Sequence, residues 1–157
     1  MPIARKLLLI VTALAVIVTA CGSGSGAPSG NAEDIAANVF AEAGVEPFGP
    51  AIKLETPSDI EYFLGSTNYP EFVDSAVVQP LISIDARILY ILTLDDADQA
   101  DTVMAQMETD IDPTRLICVA FSLEDVVIDS RDNVVFMVID QNHDERDALA
   151  EAFQAVD

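Results

Sequence analysis

The chain has 157 residues, 51% of them apolar, with 27 acids against 7 Lys and Arg and a formal net charge of −20. That length suits one domain with appendages, and the composition argues against a generally disordered chain. Beyond residue 20 the balance is 27 acids to five bases, a net −22. Such a surface repels phosphate backbones, which disfavours nucleic-acid binding, and it repels anionic head groups, so membrane attachment needs an anchor rather than a basic patch.

The first element is a leader. Arg5 and Lys6 form a positive n-region, and Leu7 to Val18, "LLLIVTALAVIV", is an apolar h-region followed by Thr19 and Ala20. This is the pattern of a secretory signal peptide, with an apolar run shorter than the roughly 20 residues of a membrane-spanning helix. The run "VTAC", Val18 to Cys21, resembles the lipobox of bacterial lipoproteins. That resemblance implies attachment of a diacylglycerol to Cys21 and cleavage just before it. Two or more acyl chains make a stable anchor, whereas one holds only marginally. The "GSGSGAPSG" that follows, Gly22 to Gly30, reads as a flexible tether with an r.m.s. span of roughly 15–18 Å. The expected organisation is a signal peptide over 1–20, a lipidated Cys21 and Gly/Ser linker over 21–30, and a single α+β domain over 31–157. Cys118, in "LICVAF", then has no disulfide partner and is expected as a buried free thiol.

The domain should open at Asn31, an N-cap before "AEDIAANVFAEAG", with Ile35, Val39 and Phe40 on one face and Gly44 as the stop. "VEPFGPAIKLE" reads as a loop ending in a short extended piece. Thr56, Pro57 and Asp59 mark a second helix, to about Leu64. Glu71 to Leu81 reads as extended, with Pro80 implying an edge, a bulge or the strand's end. "ARILYILTL", Ala86 to Leu94, is apolar on both faces, as a central covered strand must be. Asp95 and Asp96 open a helix with Ala100, Val103, Met104, Met107 and Ile111 in one stripe, closed by Pro113. "RLICVAF" reads as a strand. "EDVVID" and "VVFMVID" flank the turn signal "SRDN" and form a hairpin. A last helix starts near Asn142 or Asp144, with Leu149, Ala152, Phe153 and Val156 inward.

A shift of 46 residues lays Tyr90 on Phe136, Asp98 on Asp144, Asp101 on Asp147, Val103 on Leu149 and Met107 on Phe153. The expected fold is therefore α+β: an antiparallel sheet of about four strands built from two strand-strand-helix units, with an extra N-terminal helical segment. Shared physics offers another origin for the match. Any passage from strand to helix puts an acid near the N-cap and apolar residues four apart.

The lipobox, the spacer, the capped helix and "VVIDSRDNVVFMVID" followed by an acidic helix together resemble the Firmicutes lipoproteins grouped as domain of unknown function 4358. The resemblance covers about residues 50 to 155, after the leader. Between the two units "DIDPTRLICVAF" is shorter than the family's pattern. The family has no established activity, so no chemistry follows from the resemblance.

Catalytic constellations are sparse. The single histidine, His143, sits beside Asp144 at a helix start and is expected as a solvated loop residue. No GxSxG, GxGxxG, Walker-type loop or zinc spacing occurs. "DQNHDERDALAE" places Asp140, Asn142, Asp144 and Glu151 at positions 1, 3, 5 and 12 of an EF-hand-like loop. Glu145 stands at position 6, where the loop needs glycine, so these acids are expected to favour a helix dipole rather than to hold a metal. No cofactor is expected. The expected function is a membrane-anchored extracytoplasmic module that binds or assists an envelope protein or ligand. The alternative is an envelope enzyme, hydrolase-like, with an unrecognised site.

Overall fold

The computed structural model describes residues 26–82, 85–114 and 120–157. Cys21, Cys118 and residues 115–119 of the expected "RLICVAF" strand lie outside the described residues. Of that run, Ala120 and Phe121 are not in a strand, and Phe121 is buried.

Helix α1 spans Ala32–Ala43. The Asn31 side chain accepts from the Asp34 amide, Asp34 reaches back to the Asn31 amide, and Gly44 ends the helix in the left-handed region (φ 66°). Such a cap contributes about 1 kcal/mol, and glycine takes the left-handed turn without steric penalty. Helix α2, Pro57–Leu64, repeats the arrangement with Thr56 and Asp59. Asp59 accepts from the Thr56 hydroxyl and amide, which hold its carboxyl below the usual range.

Five strands make one sheet: β1 (Ala51–Ile52), β2 (Phe72–Val78), β3 (Arg87–Leu94), β4 (Val126–Arg131) and β5 (Val134–Asp140), in the order β1-β2-β3-β5-β4. All neighbours are antiparallel. The fifth strand is β1, formed by the short extended piece after the loop. Its two residues pair with Val77 and Val78 at the sheet edge. The register slips between Phe72 and Asp74, so Val73 bulges outward. After the bulge, Ala76 and Val78 join one core layer and Val77 the other. Pro80 falls just past the end of β2.

β3 is central, as its apolar faces require. Leu89 and Ile91 enter one layer with Phe136 and Val138, whereas Ile88, Tyr90 and Leu92 enter the other with Val135 and Met137. Fully burying each such side chain is worth about 1.5–3 kcal/mol. β4 and β5 form the expected hairpin. Its two-residue turn, Asp132–Asn133, puts Asp132 at φ 53°, and Asn133 donates to Leu94 O at 2.7 Å.

A 3₁₀ turn (Ala97–Gln99), capped by Asp96, leads into α3 (Ala100–Asp110), whose Ala100, Val103 and Met107 are buried. α4 spans His143–Ala155 and buries Leu149, Ala152 and Phe153. The chain order β2-β3-α3 and β4-β5-α4 that two units require is present. The units do not repeat spatially, however. α3 joins α2 on one face of the sheet, while α4 joins α1 on the other. β3 runs parallel to β4 with β5 between them, which makes β3-α3-β4 a split βαβ crossover. The fold is thus a three-layer α+β arrangement with five strands rather than four.

The sheet has two chemically distinct ends. One carries the Asp132–Asn133 turn, Leu94, the start of β2, the N-terminus of α1 and the C-terminus of α4. The other carries Arg87, Asp140, the start of β4 and the N-terminus of α4.

Candidate functional site

The second of these ends carries Asp140, Asn142 and His143 among the residues that the sequence marks as candidates. Asp140 closes β5 and is 1% exposed. Burial raises its pKa, against which the Asn142 amide (2.8 Å) and Arg87 favour the charged form. Arg87 Nε donates to Asp140 Oδ2 at 3.0 Å, and Nη2 lies 2.9 Å from the same oxygen. Nη2 also pairs with Glu145, and the guanidinium lies 4.3 Å from the centroid of the Phe48 ring. Asn142 Nδ2 donates to Glu145 Oε1 at 2.8 Å.

Positions 1 and 6 of the EF-hand-like loop are therefore tied to a guanidinium. The helix begins at His143, so the loop is wound into α4. Asp144 is exposed in its first turn, and Glu151 is exposed two turns further on, by Glu42 and Ala43 of α1. Of the four candidates, Asp140 and Asn142 are joined by a hydrogen bond, and Glu151 lies two helical turns away. Among the described residues, no group of three or more His, Cys, Asp or Glu is placed to hold a metal ion.

His143 is exposed and at a helix start, as expected, but it differs from the expectation in two respects. It is the first residue of α4, not a free loop histidine, and its Nε2 lies 2.8 Å from Asp125 Oδ1. The imidazole remains 49% exposed. Asp125 is held by the Ser122 amide at 2.7 Å. That amide first, then His143, lowers its pKa against the effect of burial. Arg146 adds a bond to Glu124 O and pairs with Asp147 at 2.6 Å. An imidazole beside a carboxylate can exchange a proton or bind a polar group. Among the described residues, no hydroxyl or thiol hydrogen-bonds to this ring, so no nucleophile is positioned by it.

Beside this pair, Glu108 and Ile111 of the α3 side face Leu123, Val126 and Ile128 across a groove of about 310 Å³. Leu81 and Ile82, in the loop before β3, are 85% and 76% exposed.

Three basic residues with structural roles escaped the sequence reading: Arg87, Arg146 and Arg131. Arg131 is buried at the end of β4 and donates to Phe153 O (3.0 Å), to Val156 O and to Gly26 O (2.8 Å). For Arg87 and Arg131 the signal was rarity: a base within an apolar strand, in a chain this acidic, needs a partner.

No protein-family model matches the chain, and neither a curated protein nor a solved structure matches it.

Proposed function

We propose that the protein is a lipoprotein anchored through Cys21 on the extracytoplasmic face of a membrane, where its domain serves as a binding or accessory module of the cell envelope. The observation that carries this reading is the run of Arg5 and Lys6, the apolar Leu7–Val18 and the "VTAC" ending at Cys21. The likeness of "VVIDSRDNVVFMVID" to lipoproteins of domain of unknown function 4358 belongs to the same proposal. Exposed Leu81, Ile82 and Leu123 favour an envelope protein as the partner. Fractionation tests the anchor. The wild type is expected with the membranes and Cys21→Ala in the soluble fraction; a soluble wild type contradicts the proposal.

The second reading, a hydrolase-like envelope enzyme, rests on His143 and Asp125, which come together from separate segments. Hydrolysis of ester or amide substrates that is lost in His143→Gln would favour it.

A further inference from the structure

We infer that the domain stands on the membrane by one end: the Arg131 end faces the lipid, and the end carrying Leu81, Ile82, Leu123 and His143 faces away. The inference rests on the lipid-anchor reading above. Its own evidence is the way the body holds the start of the linker.

Gly26, Ala27 and Pro28 read as tether in sequence, yet they belong to the body. Pro28 is buried, Ala27 packs on the core shared by α1 and α4, and Gly26 O accepts from Arg131 Nη2 at 2.8 Å. The same guanidinium takes the carbonyls of Phe153 and Val156 at the C-terminus of α4. The last carbonyls of a helix have no intrahelical donors, and the negative end of its dipole attracts a cation. A buried arginine there is held firmly, and it holds Gly26 in turn.

Two consequences follow. First, the stretch between the anchor and the body shortens. Between Cys21 and Gly26 lie five residue steps, a reach of roughly 17 Å at full extension. Second, the tether leaves from one end of the sheet. β5 has seven residues and α4 thirteen, so the opposite end lies roughly 20 Å further away.

Charge works against a flat orientation, and it acts on the near end as well, which carries Glu33, Asp34, Asp95, Asp96 and Asp132. Lying flat brings a whole flank of a body with 27 acids and five bases against the head groups. Standing brings only one end, and at physiological ionic strength repulsion fades within about 8 Å. Anionic lipid therefore favours the stance with the least surface near it. The end turned outward carries Leu81, Ile82 and Leu123, three of the five exposed large apolar side chains among the described residues, where a partner can reach them.

The test uses the full lipidated chain in a Cys118→Ser background, reconstituted into phosphatidylcholine–phosphatidylglycerol vesicles carrying a nitroxide quencher on the head group. A fluorophore is placed at Asp95→Cys, beside the Asp132–Asn133 turn, or at Asp144→Cys, in the first turn of α4. Most of the fluorescence should be lost at residue 95 and most kept at residue 144. An insertion of roughly ten Gly/Ser residues after residue 25, which leaves the body untouched, should weaken that contrast by lengthening the tether. Arg131→Met, if folded, should weaken it as well. Equal quenching of the two labels in the parent chain means a flat or freely tumbling body and overturns the inference while leaving the anchor in place. A chain that does not float with the vesicles and shows no quenching overturns both.

Discussion

Phe136 of β5 and Phe153 of α4 stack with their ring centroids 4.8 Å apart and their planes within 12°. This contact seals α4 onto the sheet, in the layer that also holds Ile35, Val39 and Phe40 of α1. On the opposite face, Met107 of α3 packs with Tyr90 and Met137. Tyr90 also donates its hydroxyl to Phe63 O at 3.1 Å, which ties α2 to the same layer.

Both helices should therefore be sensitive to truncation. Phe153→Ala is expected to cost about 3–5 kcal/mol and Met107→Ala about 2–5 kcal/mol, read from denaturant melts. A loss below about 1 kcal/mol for either would mean that its helix does not pack as described.

The elements were legible where local chemistry sets them. Asn31 with Gly44, and Thr56 with Pro57 and Asp59, mark helix ends through bonds that reach three or four residues. "SRDN" between two apolar runs marks a hairpin for the same reason. What sequence could not provide was the partner of each strand and the face of each helix. The 46-residue match between β3-α3 and β5-α4 is real as a pattern, but it is silent on which side each helix covers. The two-residue β1 was legible as a short extended piece, but nothing in it pointed to β2 as its partner. The site pairs failed for the same reason: Arg87 meets Asp140 across 53 residues, and Arg131 meets Gly26 across 105.

Arg87 gives a pH-dependent prediction. In Arg87→Met, Asp140 keeps its burial and loses its cation, which should cost about 2–4 kcal/mol at neutral pH, discounted for Arg87's partial exposure. Asp140's folded pKa is raised by burial, and removing the guanidinium raises it further. A raised acid favours the folded state when protonated, so the variant's deficit should shrink as pH falls through that value. Urea melts of both proteins at several pH values check this. A deficit independent of pH would mean that Asp140 does not depend on Arg87.

Asp125 gives the opposite sign. Its pKa is lowered by the Ser122 amide and His143. It should contribute stability above the ordinary aspartate range and lose it as pH falls through the depressed value. Stability curves of wild type and Asp125→Asn should stand apart near neutral pH and converge in acid. Parallel curves would contradict the assignment.

Calcium separates the capping role of the acids from a metal role. Calorimetric titration at physiological ionic strength should show no saturable site in the wild type, because Arg87 is paired with Asp140 and Glu145 where a cation would sit. Micromolar binding that disappears in Glu151→Gln would instead make cation sensing the leading function.

The most direct test of the account is intact and peptide-level mass spectrometry of the protein purified from its own membranes. The account expects a chain that begins at Cys21, with residues 1–20 removed and the mass of a thioether-linked diacylglycerol on the cysteine. An unmodified Cys21 thiol, with or without the leader, would contradict the anchor on which the proposed function rests.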